Sequence, residues 1–400
     1  MTETTIAVIG AGYAGIVAAN RVQASLTPDE RGRVSVIMIN PTGDFVERVR
    51  LHELAAGARR SASIPLAEML HRDIAVLIGR VVAIDADAHR LTVATAEGDV
   101  ARRYSTLIYA VGSVAALGAP GADEFAHLLG NREGAESARI ALADGRPGQR
   151  VVVVGGGATG VEAAAEFAEQ YPGASVTLVS RGDVLGHLRT GARRSVSRSL
   201  AKLGVRVLEN AAVARVLADG VELASGAVLP SDVTVWTASF AVPDLARTSG
   251  LAVDALGRLL VDEQLRAIGH PDILGAGDAV RPPDSVGAHL RMGCAIAMPI
   301  GAHAADNALA MLRGSRLATL DVGFAAQCIS IGRKDGIIQL LTRADQPTAL
   351  RITGRPGALI KEWVCAVLAT GAPRRERDRP GSLLMPKAPR RMPAPVRADG

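Results

Sequence analysis

Two stretches of the chain repeat one pattern: a short apolar run, a cluster of glycines, and an alanine-rich segment whose apolar positions recur every three to four residues. The first begins at Ile6 and reads "IAVIGAGYAGIVAANR", and the second begins at Val151 and reads "VVVVGGGATGVEAAAEFAE". The apolar run predicts a buried strand, and the spacing after the glycines predicts a helix. Apolar runs over residues 34–39 and within "ASVTLVSRGD" predict a second strand in each unit.

Both glycine clusters have the spacing G-x-G-x-x-G between a predicted strand and a predicted helix. The glycines are Gly10, Gly12 and Gly15 in the first unit, and Gly155, Gly157 and Gly160 in the second. Such a turn bends tightly, lets a pyrophosphate approach the backbone, and places the anion at the helix N-terminus. The repeat therefore predicts an α/β protein with two Rossmann-like dinucleotide-binding modules.

The residues after the second strand of each unit bear on which nucleotide binds. Asn40 stands where an acidic residue usually binds the ribose, and it can still form a hydrogen bond there. Ser180 and Arg181 stand at the same place in the second unit, where they could bind a 2′-phosphate. We expect NADPH to be preferred to NADH, although Arg181 could also be a solvated residue after a strand.

Other segments connect these units. Residues 76–111 alternate like an antiparallel insertion with a hairpin turn at residues 97–99, and "YSTLIYAVGS" reads as a buried strand that ends in a glycine turn. The block "LRAIGHPDILGAGDAV" predicts a strand that ends at Gly277 and Asp278. An isolated Asp278 could be a helix cap.

Composition describes a globular chain of two or three domains. The 400 residues are 48% hydrophobic and 21% charged, with no apolar run long enough to span a bilayer. The N-terminus enters a strand pattern at once, so we expect a cytoplasmic protein. The net charge of +5 resides in the last thirty residues, and aromatic residues make up 3% of the chain, which argues against a nucleic-acid partner.

The three cysteines predict neither a disulfide framework nor a metal site. Cys294, Cys328 and Cys365 are far apart, and no two of them have C-x-x-C spacing. We expect buried small residues or free thiols.

The pieces quoted above, with "DVTVWTAS" and "QCISIGRKDGIIQ", occur in an order that resembles flavoproteins of the pyridine nucleotide–disulfide oxidoreductase superfamily. They are most similar to the branch that contains type II NADH:quinone oxidoreductases and proteins like apoptosis-inducing factor. The resemblance covers about residues 4–370. It implies an FAD domain (1–116 and 240–322) split around an NAD(P)H domain (117–239), then a C-terminal α+β region (323–372). Residues 373–400 are expected to form a disordered basic tail.

The resemblance also implies roles for individual residues. Those implied for FAD are Gly10, Gly12, Ala14, Gly15, Asn40, Arg48, Val81, Gly112 and Asp278, and those for NAD(P)H are Gly155, Gly157, Thr159, Gly160, Ser180 and Arg181. Glu162 would lie at the nicotinamide end near the flavin as a catalytic residue. It could instead be a first-turn helix acid that the dipole stabilises.

The sequence departs from the family pattern in two places. Thiol-dependent members have cysteine in the segment that reads "DFVERVRLHELAAG" here, so a thiol route through it is excluded. On a helix, Arg48 and His52 would share a face, with Arg48 either at the FAD or on a solvated face. The two glutamines of quinone reductases are missing from "RMGCAIAMPIGAHAADNAL", where His303 could donate a proton or simply pack.

We therefore expect an enzyme that transfers a hydride from NAD(P)H to FAD and then electrons to a small non-thiol acceptor, such as a quinone. A biosynthetic flavoenzyme and a redox-sensing flavoprotein like apoptosis-inducing factor are the alternatives. The amphipathic segment "GALIKEWVCAVLATG" either closes the core or, with the basic tail, makes a weak peripheral membrane contact. The oligomeric state is left open, a homodimer included.

Overall fold

The computed structural model describes residues 4–143, 145–383 and 386–390. Over these residues the chain forms two large sheets, one parallel throughout and one parallel except for its antiparallel edge strand Arg266–Ala267. The connecting segments Val114–Ala115 and Phe240–Ala241 pair with each other. Residues 391–400 of the predicted tail lie outside the described residues.

The first sheet contains the first glycine unit. Thr4–Ile9 pairs in parallel with Val34–Asn40 on one side and with Thr106–Tyr109 on the other. Because parallel strands end at one edge of a sheet, the glycine turn lies at the same edge as Gly112 and Asp278. In spatial order the six strands are Arg266–Ala267, His270–Gly275, Thr106–Tyr109, Thr4–Ile9, Val34–Asn40 and Ala75–Ile78.

The second sheet contains the second glycine unit and is parallel throughout. Its central strand Arg150–Val154 lies between Ser175–Val179 and Val233–Trp236. In spatial order the five strands are Ala126–Leu128, Val233–Trp236, Arg150–Val154, Ser175–Val179 and Arg206–Leu208. The prediction of an α/β fold with two Rossmann-like units is confirmed.

The remaining strands form small sheets. The hairpin predicted at residues 97–99 is present, whereas Ala75–Ile78 belongs to the first parallel sheet rather than to the antiparallel insertion. The C-terminal region includes the strand Pro347–Thr353, which pairs antiparallel with Gly336–Leu341. One three-stranded sheet contains Arg80–Asp85, Arg90–Thr95 and Gly98–Arg103, and a second contains Val213–Leu217, Gly220–Leu223 and Val228–Pro230. A third contains Ala326–Ser330, Gly336–Leu341 and Pro347–Thr353. Two short pairs are Asp44–Val46 with Ser63–Pro65, and Leu259–Leu260 with Val280–Arg281.

In the described part of the chain, eight α-helices have five residues or more. They are α1 (Tyr13–Ser25), α2 (Leu51–Ala55), α3 (Arg132–Leu142), α4 (Ala158–Gln170), α5 (Thr190–Lys202), α6 (Cys294–Leu312), α7 (Arg355–Trp363) and α8 (Gly371–Asp378). A π-helix, Val364–Thr370, joins α7 to α8. Single turns occur at Pro28–Arg31, Leu66–Met69, Ala122–Phe125, Leu245–Thr248 and Asp284–Gly287, with 3₁₀ turns at Arg48–Arg50 and Gly277–Ala279. Arg48 is thus in a 3₁₀ turn before α2, not on one helix with His52.

Helices α1 and α6 pack closely in the core below the first glycine turn. A Cβ added to Gly301 would lie 2.3 Å from the carbonyl oxygen of Ala14, so only glycine permits this approach. Pro299 lies inside α6, and Met298 and Ile300 are buried beside it. These residues belong to the core.

The prediction of a disordered tail from residue 373 is wrong for residues 373–378, which lie in α8. The side chain of Glu376 in α8 is fully buried and contacts Nε of Arg21 at 3.0 Å. Asn20 donates a hydrogen bond to the carbonyl of Pro373 at 2.9 Å. The composition of the tail suggests solvation, but these contacts with α1 hold the segment in place. In the part of the chain that the structure describes, no helix has the length and apolar character to cross a membrane.

Candidate functional site

The first glycine turn has the shape that a diphosphate requires. Gly10 has φ of +96°, and a Cβ there would lie 2.4 Å from the carbonyl oxygen of Ala110. A Cβ on Gly15 would lie 1.9 Å from the carbonyl oxygen of Gly10, whereas one on Gly12 would meet no atom within 4 Å. The backbone at Gly12 is therefore open in front of the N-terminus of α1, as an anion site needs.

The second glycine turn has close approaches at two of the three corresponding glycines. Gly155 has φ of +129°, and its Cβ would lie 2.4 Å from Oγ1 of Thr237. A Cβ on Gly160 would lie 1.8 Å from the carbonyl oxygen of Gly155, and Gly157 is open. The chain thus has two turns of the same geometry, one on each sheet, and both fit a dinucleotide.

The side chain of Asn40 serves the first turn itself. Its Oδ1 accepts a hydrogen bond from the backbone N–H of Ala11 at 2.9 Å, and its Nδ2 donates to the carbonyl of Thr42 at 2.8 Å. Sequence reasoning missed this role. Val81 follows Gly79, whose N–H donates to the carbonyl of Asn40 at 2.9 Å. Contact of Asn40 and Val81 with an adenosine stays a prediction.

Asp278 and Arg48 are linked through Ser113, which contacts both side chains. Its two carboxylate oxygens accept hydrogen bonds at 2.8 Å from Oγ of Ser113 and from the N–H of Gly293, which precedes α6. Arg48 donates to the carbonyl of Ser113 at 2.8 Å and to its Oγ at 3.1 Å. Burial lowers the pKa of Arg48. Arg48 therefore faces Asp278 and the turn after Gly112, and the solvated-face alternative is wrong.

The second site continues into a cavity beside the connecting segments. It is lined by Thr159, Trp236, Thr237, Ser239 and Phe240 among others. At its other end Ser180 is buried, and a Cβ on Gly156 would lie 2.1 Å from its Oγ. Arg181 follows and is exposed. The predicted NAD(P)H residues are thus arranged along one edge of the second sheet.

Glu162 forms a buried ion pair with Lys361 of α7. Its Oε1 lies 3.0 Å from Nζ of Lys361 and accepts hydrogen bonds from the N–H and Oγ of Ser330 at 3.0 and 3.2 Å. Burial raises the pKa of Glu162, but Lys361, His52 and the N–H of Ser330 together outweigh it and the net pKa is lowered. Burial lowers the pKa of Lys361, and the surrounding groups, Glu162 first among them, more than reverse this. The pair is charged and Glu162 is no plain helix-end acid.

His52 is the third titratable group of this cluster. Its side chain is buried, and Nε2 lies 3.4 Å from Oγ of Ser330. Burial lowers the pKa of His52, so the imidazole is neutral at pH 7. Sequence reasoning missed Lys361 and Ser330, although the family-like motif "QCISIGRKDGIIQ" contains Ser330.

The three cysteines lie close enough to Lys361 for its charge to act on each. Burial nevertheless raises the pKa of Cys294 and of Cys328 to about 11, and it raises that of Cys365. All three are free. They are therefore thiols at neutral pH and poor nucleophiles, since the thiolate is the reactive form.

His303 does not join this cluster, and its catalytic role stays a prediction. Its Nε2 lies 2.9 Å from the carbonyl oxygen of Ala318, and the charged groups near it are Asp306, Asp321 and Arg21. It is nine residues beyond Cys294 on α6, about 13 Å along the helix axis. Packing, the other interpretation of this histidine, fits.

Comparison with known proteins agrees with this arrangement. Residues 4–293 match the family described as pyridine nucleotide-disulphide oxidoreductase. An NADH dehydrogenase-like protein of Mycobacterium tuberculosis is 33% identical over 358 residues, which are 82% of this chain and 86% of that protein. The type II NADH:quinone oxidoreductase NdhA of the same species is 26% identical over 319 residues, 70% of this chain and 66% of NdhA.

A solved structure shows the same fold over nearly the whole chain. NDH2 from Plasmodium falciparum, in complex with NADH, superposes with a TM-score of 0.77 at 16% identity and covers 94% of this chain and 97% of NDH2. The family match spans most of the chain, and both glycine turns fit its nucleotides. This chain therefore belongs to the pyridine nucleotide-disulphide oxidoreductase family and is an NAD(P)H oxidoreductase of the NADH dehydrogenase-like kind.

Proposed function

We propose that the chain is an FAD-dependent NAD(P)H oxidoreductase that delivers electrons to a quinone-like small molecule rather than to a thiol or disulfide. The observation that carries the proposal is the buried pair of Glu162 and Lys361, which lies where both dinucleotide units meet the C-terminal region. When bound, the flavin would supply the redox chemistry by accepting a hydride from the nicotinamide and passing the electrons on.

The two glycine turns divide the cofactors between them. We assign FAD to residues 1–116 and 240–322 and NAD(P)H to residues 117–239. The groups that would hold FAD are Gly10, Gly12, Ala14, Gly15, Asn40, Arg48, Val81, Gly112 and Asp278, and those that would hold NAD(P)H are Gly155, Gly157, Thr159, Gly160, Ser180 and Arg181. The open faces of Gly12 and Gly157 support both assignments.

NADPH is the proposed donor because of the charges beside the second turn. Arg181 is exposed and forms no ion pair with any residue that the structure describes. The nearby acids Asp183 and Glu209 both pair with Arg193, at 2.7 and 3.1 Å. A 2′-phosphate would thus find an unneutralised guanidinium and the hydroxyl of Ser180.

The buried cluster fits reduction of a quinone-like acceptor. A quinone that gains two electrons also takes up two protons, and NAD(P)H provides only one of them with its hydride. Lys361 places an ammonium where negative charge would develop on the acceptor, and Glu162 keeps that ammonium charged. Because its pKa is lowered, His52 does not store an extra proton, but next to Ser330 it can relay the second proton by taking one up on one ring nitrogen as it releases one from the other.

The C-terminal helix supports a peripheral contact with lipid, where a hydrophobic acceptor resides. One face of α7 carries Lys361 inward, while Leu359 and Trp363 are 71% and 53% exposed. Leu350 and Ile352 of the last strand are exposed as well. We propose that this apolar surface, with the basic residues after it, binds anionic lipid weakly. Co-sedimentation with vesicles of anionic lipid should fall when Leu359 and Trp363 are both changed to Ser.

A biosynthetic flavoenzyme is the second candidate, because one cavity could hold a small substrate near Asp278. It is an open depression lined by Val280, Pro282, Leu290 and Ile300 and by the charged side chains of Arg258, Asp278, Arg281 and Arg291. A small substrate with both polar and apolar groups would find partners there.

The choice of acceptor tests the proposal. The purified protein, reduced anaerobically by NADPH, is mixed either with a short-chain ubiquinone or with glutathione disulfide. We expect rapid reoxidation by the quinone and none by the disulfide. Reoxidation by the disulfide alone would contradict the proposal, and so would purification without flavin. No reoxidation by either would favour the biosynthetic candidate.

A further inference from the structure

The turn after Ser330 holds an arginine that contacts two other parts of the protein. Ser330 ends the strand Ala326–Ser330, and Arg333 lies three residues on, before Gly336–Leu341. Nε and Nη2 of Arg333 lie 2.9 and 2.8 Å from Oε2 of Glu166 on α4. Its Nη1 lies 3.1 Å from Oε1 of Glu53 on α2. One guanidinium thus connects the C-terminal hairpin to both dinucleotide units.

Glu53 also connects Arg333 to the residues beside Lys361. Its Oε1 accepts a hydrogen bond from Nη1 of Arg50 at 2.7 Å. Arg50 in turn contacts both carboxylate oxygens of Glu362 at 2.5 Å, and Glu362 is the residue after Lys361. Glu53 therefore reaches Lys361 through Arg50 and Glu362.

The contacts close a ring. Glu162 binds Ser330, the turn leads to Arg333, and Arg333 binds Glu53. Glu53 binds Arg50, Arg50 binds Glu362, and Lys361 beside it returns to Glu162. The two groups that fix the Glu162 carboxylate are thus both anchored to Glu53.

Such a ring is better suited to fixing geometry than to adding stability. A buried ion pair loses much of its Coulombic gain to desolvation, so apolar side chains of similar size would stabilise the junction as well or better. Arg50 and Glu53 are almost fully buried, and the carboxyl of Glu53 stays ionised because His52, Arg50 and Arg333 together outweigh burial and lower its pKa to about 2. Arg333 therefore always has an ionised partner at neutral pH.

We propose that Arg333 and Glu53 are positioning residues that set the distance between Glu162 and Lys361 for the acceptor step. They act through Ser330 on one side and through Arg50 and Glu362 on the other. The inference rests on the proposed function, because it assigns the ring to the same site. It adds an explanation of how contacts between the two dinucleotide units and the C-terminal region hold the side chains of that site in place.

The test compares Arg333→Met and Arg333→Lys with Lys334→Met. Lys334 is exposed on the same turn and forms no ion pair with the residues that the structure describes, so it controls for a change of charge there. The readouts are flavin content, the rate of flavin reduction by NADPH, and kcat and KM for a short-chain ubiquinone. A misplacement of about 1 Å can cost up to about 100-fold in rate.

We expect Arg333→Met to lower kcat for the quinone about ten-fold or more with an unchanged KM, and Arg333→Lys to recover part of it. Flavin content and reduction by NADPH should stay within about two-fold of the original protein, and Lys334→Met should match that protein. An equal loss in both half-reactions, or full quinone turnover in Arg333→Met, would overturn the inference. If Arg333→Met loses its flavin, Glu362→Gln gives the same comparison, because it weakens the ring at the contact between Arg50 and the half-exposed Glu362.

Glu162→Gln separates this inference from the proposed function. If Glu162→Gln slows the quinone step but Arg333→Met does not, the ring has no positioning role and the function stands. If Glu162→Gln itself leaves the quinone step unchanged, the proposed acceptor chemistry fails and the positioning role falls with it.

Discussion

Nζ of Lys361 lies 3.0 Å from Oε1 of Glu162, which places a residue of the C-terminal helix against a residue of the second glycine-turn helix. In the proposed mechanism this contact gives the C-terminal region a part in the chemistry, because it puts an ammonium beside what would otherwise be a lone buried carboxylate. Burial alone would neutralise either group, so each keeps its charge because of the other.

Breaking this pair should cost stability, and the cost should not be additive. Lys361→Met leaves Glu162 buried without its partner, and we expect a loss of about 3–5 kcal/mol in the free energy of unfolding. Lys361→Met combined with Glu162→Gln should lose less than Lys361→Met alone, since no buried charge remains. Urea unfolding of the original protein, Lys361→Met, Glu162→Gln and the double variant measures these losses. If the losses of the two single variants add up to that of the double variant, the two groups are not coupled.

A substitution in one glycine turn should impair binding of one cofactor and not of the other. Gly15→Ala places a methyl group against the carbonyl of Gly10 and should abolish flavin binding, because the turn cannot close. Gly157→Ala meets open space, so the protein should keep its flavin while its Kd for NADPH rises, since the methyl group lies where the diphosphate approaches. Absorbance at 450 nm and titration with NADPH check both. Loss of flavin in Gly157→Ala would refute the assignment of the two sites.

Arg181 should determine the choice of donor. Arg181→Gln removes the guanidinium that has no acidic partner in the described part of the chain, and we expect kcat/KM for NADPH to fall about ten-fold while that for NADH changes little. Arg194→Gln, an exposed arginine on α5, is the matched control. Equal effects on NADPH and NADH would show that Arg181 does not bind the 2′-phosphate.

Glu166 should make the stability of the protein fall as the pH rises. Burial raises the pKa of this carboxyl from 4.5 to about 7, against the effect of Arg333. The folded state therefore keeps a proton between these pH values that the unfolded state has lost, and stability declines across this window. Relative to the original protein, Glu166→Gln should gain up to about 3 kcal/mol between pH 5 and pH 8.

Urea unfolding at the two pH values checks this gain, with the exposed Glu124→Gln as the control. A difference between Glu166→Gln and the original protein that does not change with pH would contradict the raised pKa.

The fold could be predicted because its determinants are local. Gly10 and Gly15 must be glycine for reasons set within a few residues of the turn and by the neighbouring strand, and the apolar runs beside them are short and regular. The sequence pattern places Asn40 at the end of its strand, as the structure does, but it does not predict the hydrogen bond to Ala11, because an amide there can equally face a ribose.

The candidate site could be predicted only in part because it is assembled from distant segments. Glu162 follows from the second glycine turn, whereas Lys361 is one polar residue of an amphipathic helix and reads as solvated. Ser330 and His52 reach Glu162 only once the C-terminal hairpin and α2 pack against α4. His303 has the right chemistry in the sequence, but the helix carries it away from the cluster.

The most direct test of the central claim is the single-turnover reoxidation of the NADPH-reduced protein by a short-chain ubiquinone, measured by stopped flow for the original protein and for Lys361→Met at equal flavin content. We expect the original protein to be reoxidised rapidly. Lys361→Met should be reoxidised at least about 100-fold more slowly, because the ammonium that stabilises charge on the acceptor is gone. Equal rates for the two proteins would contradict the central claim.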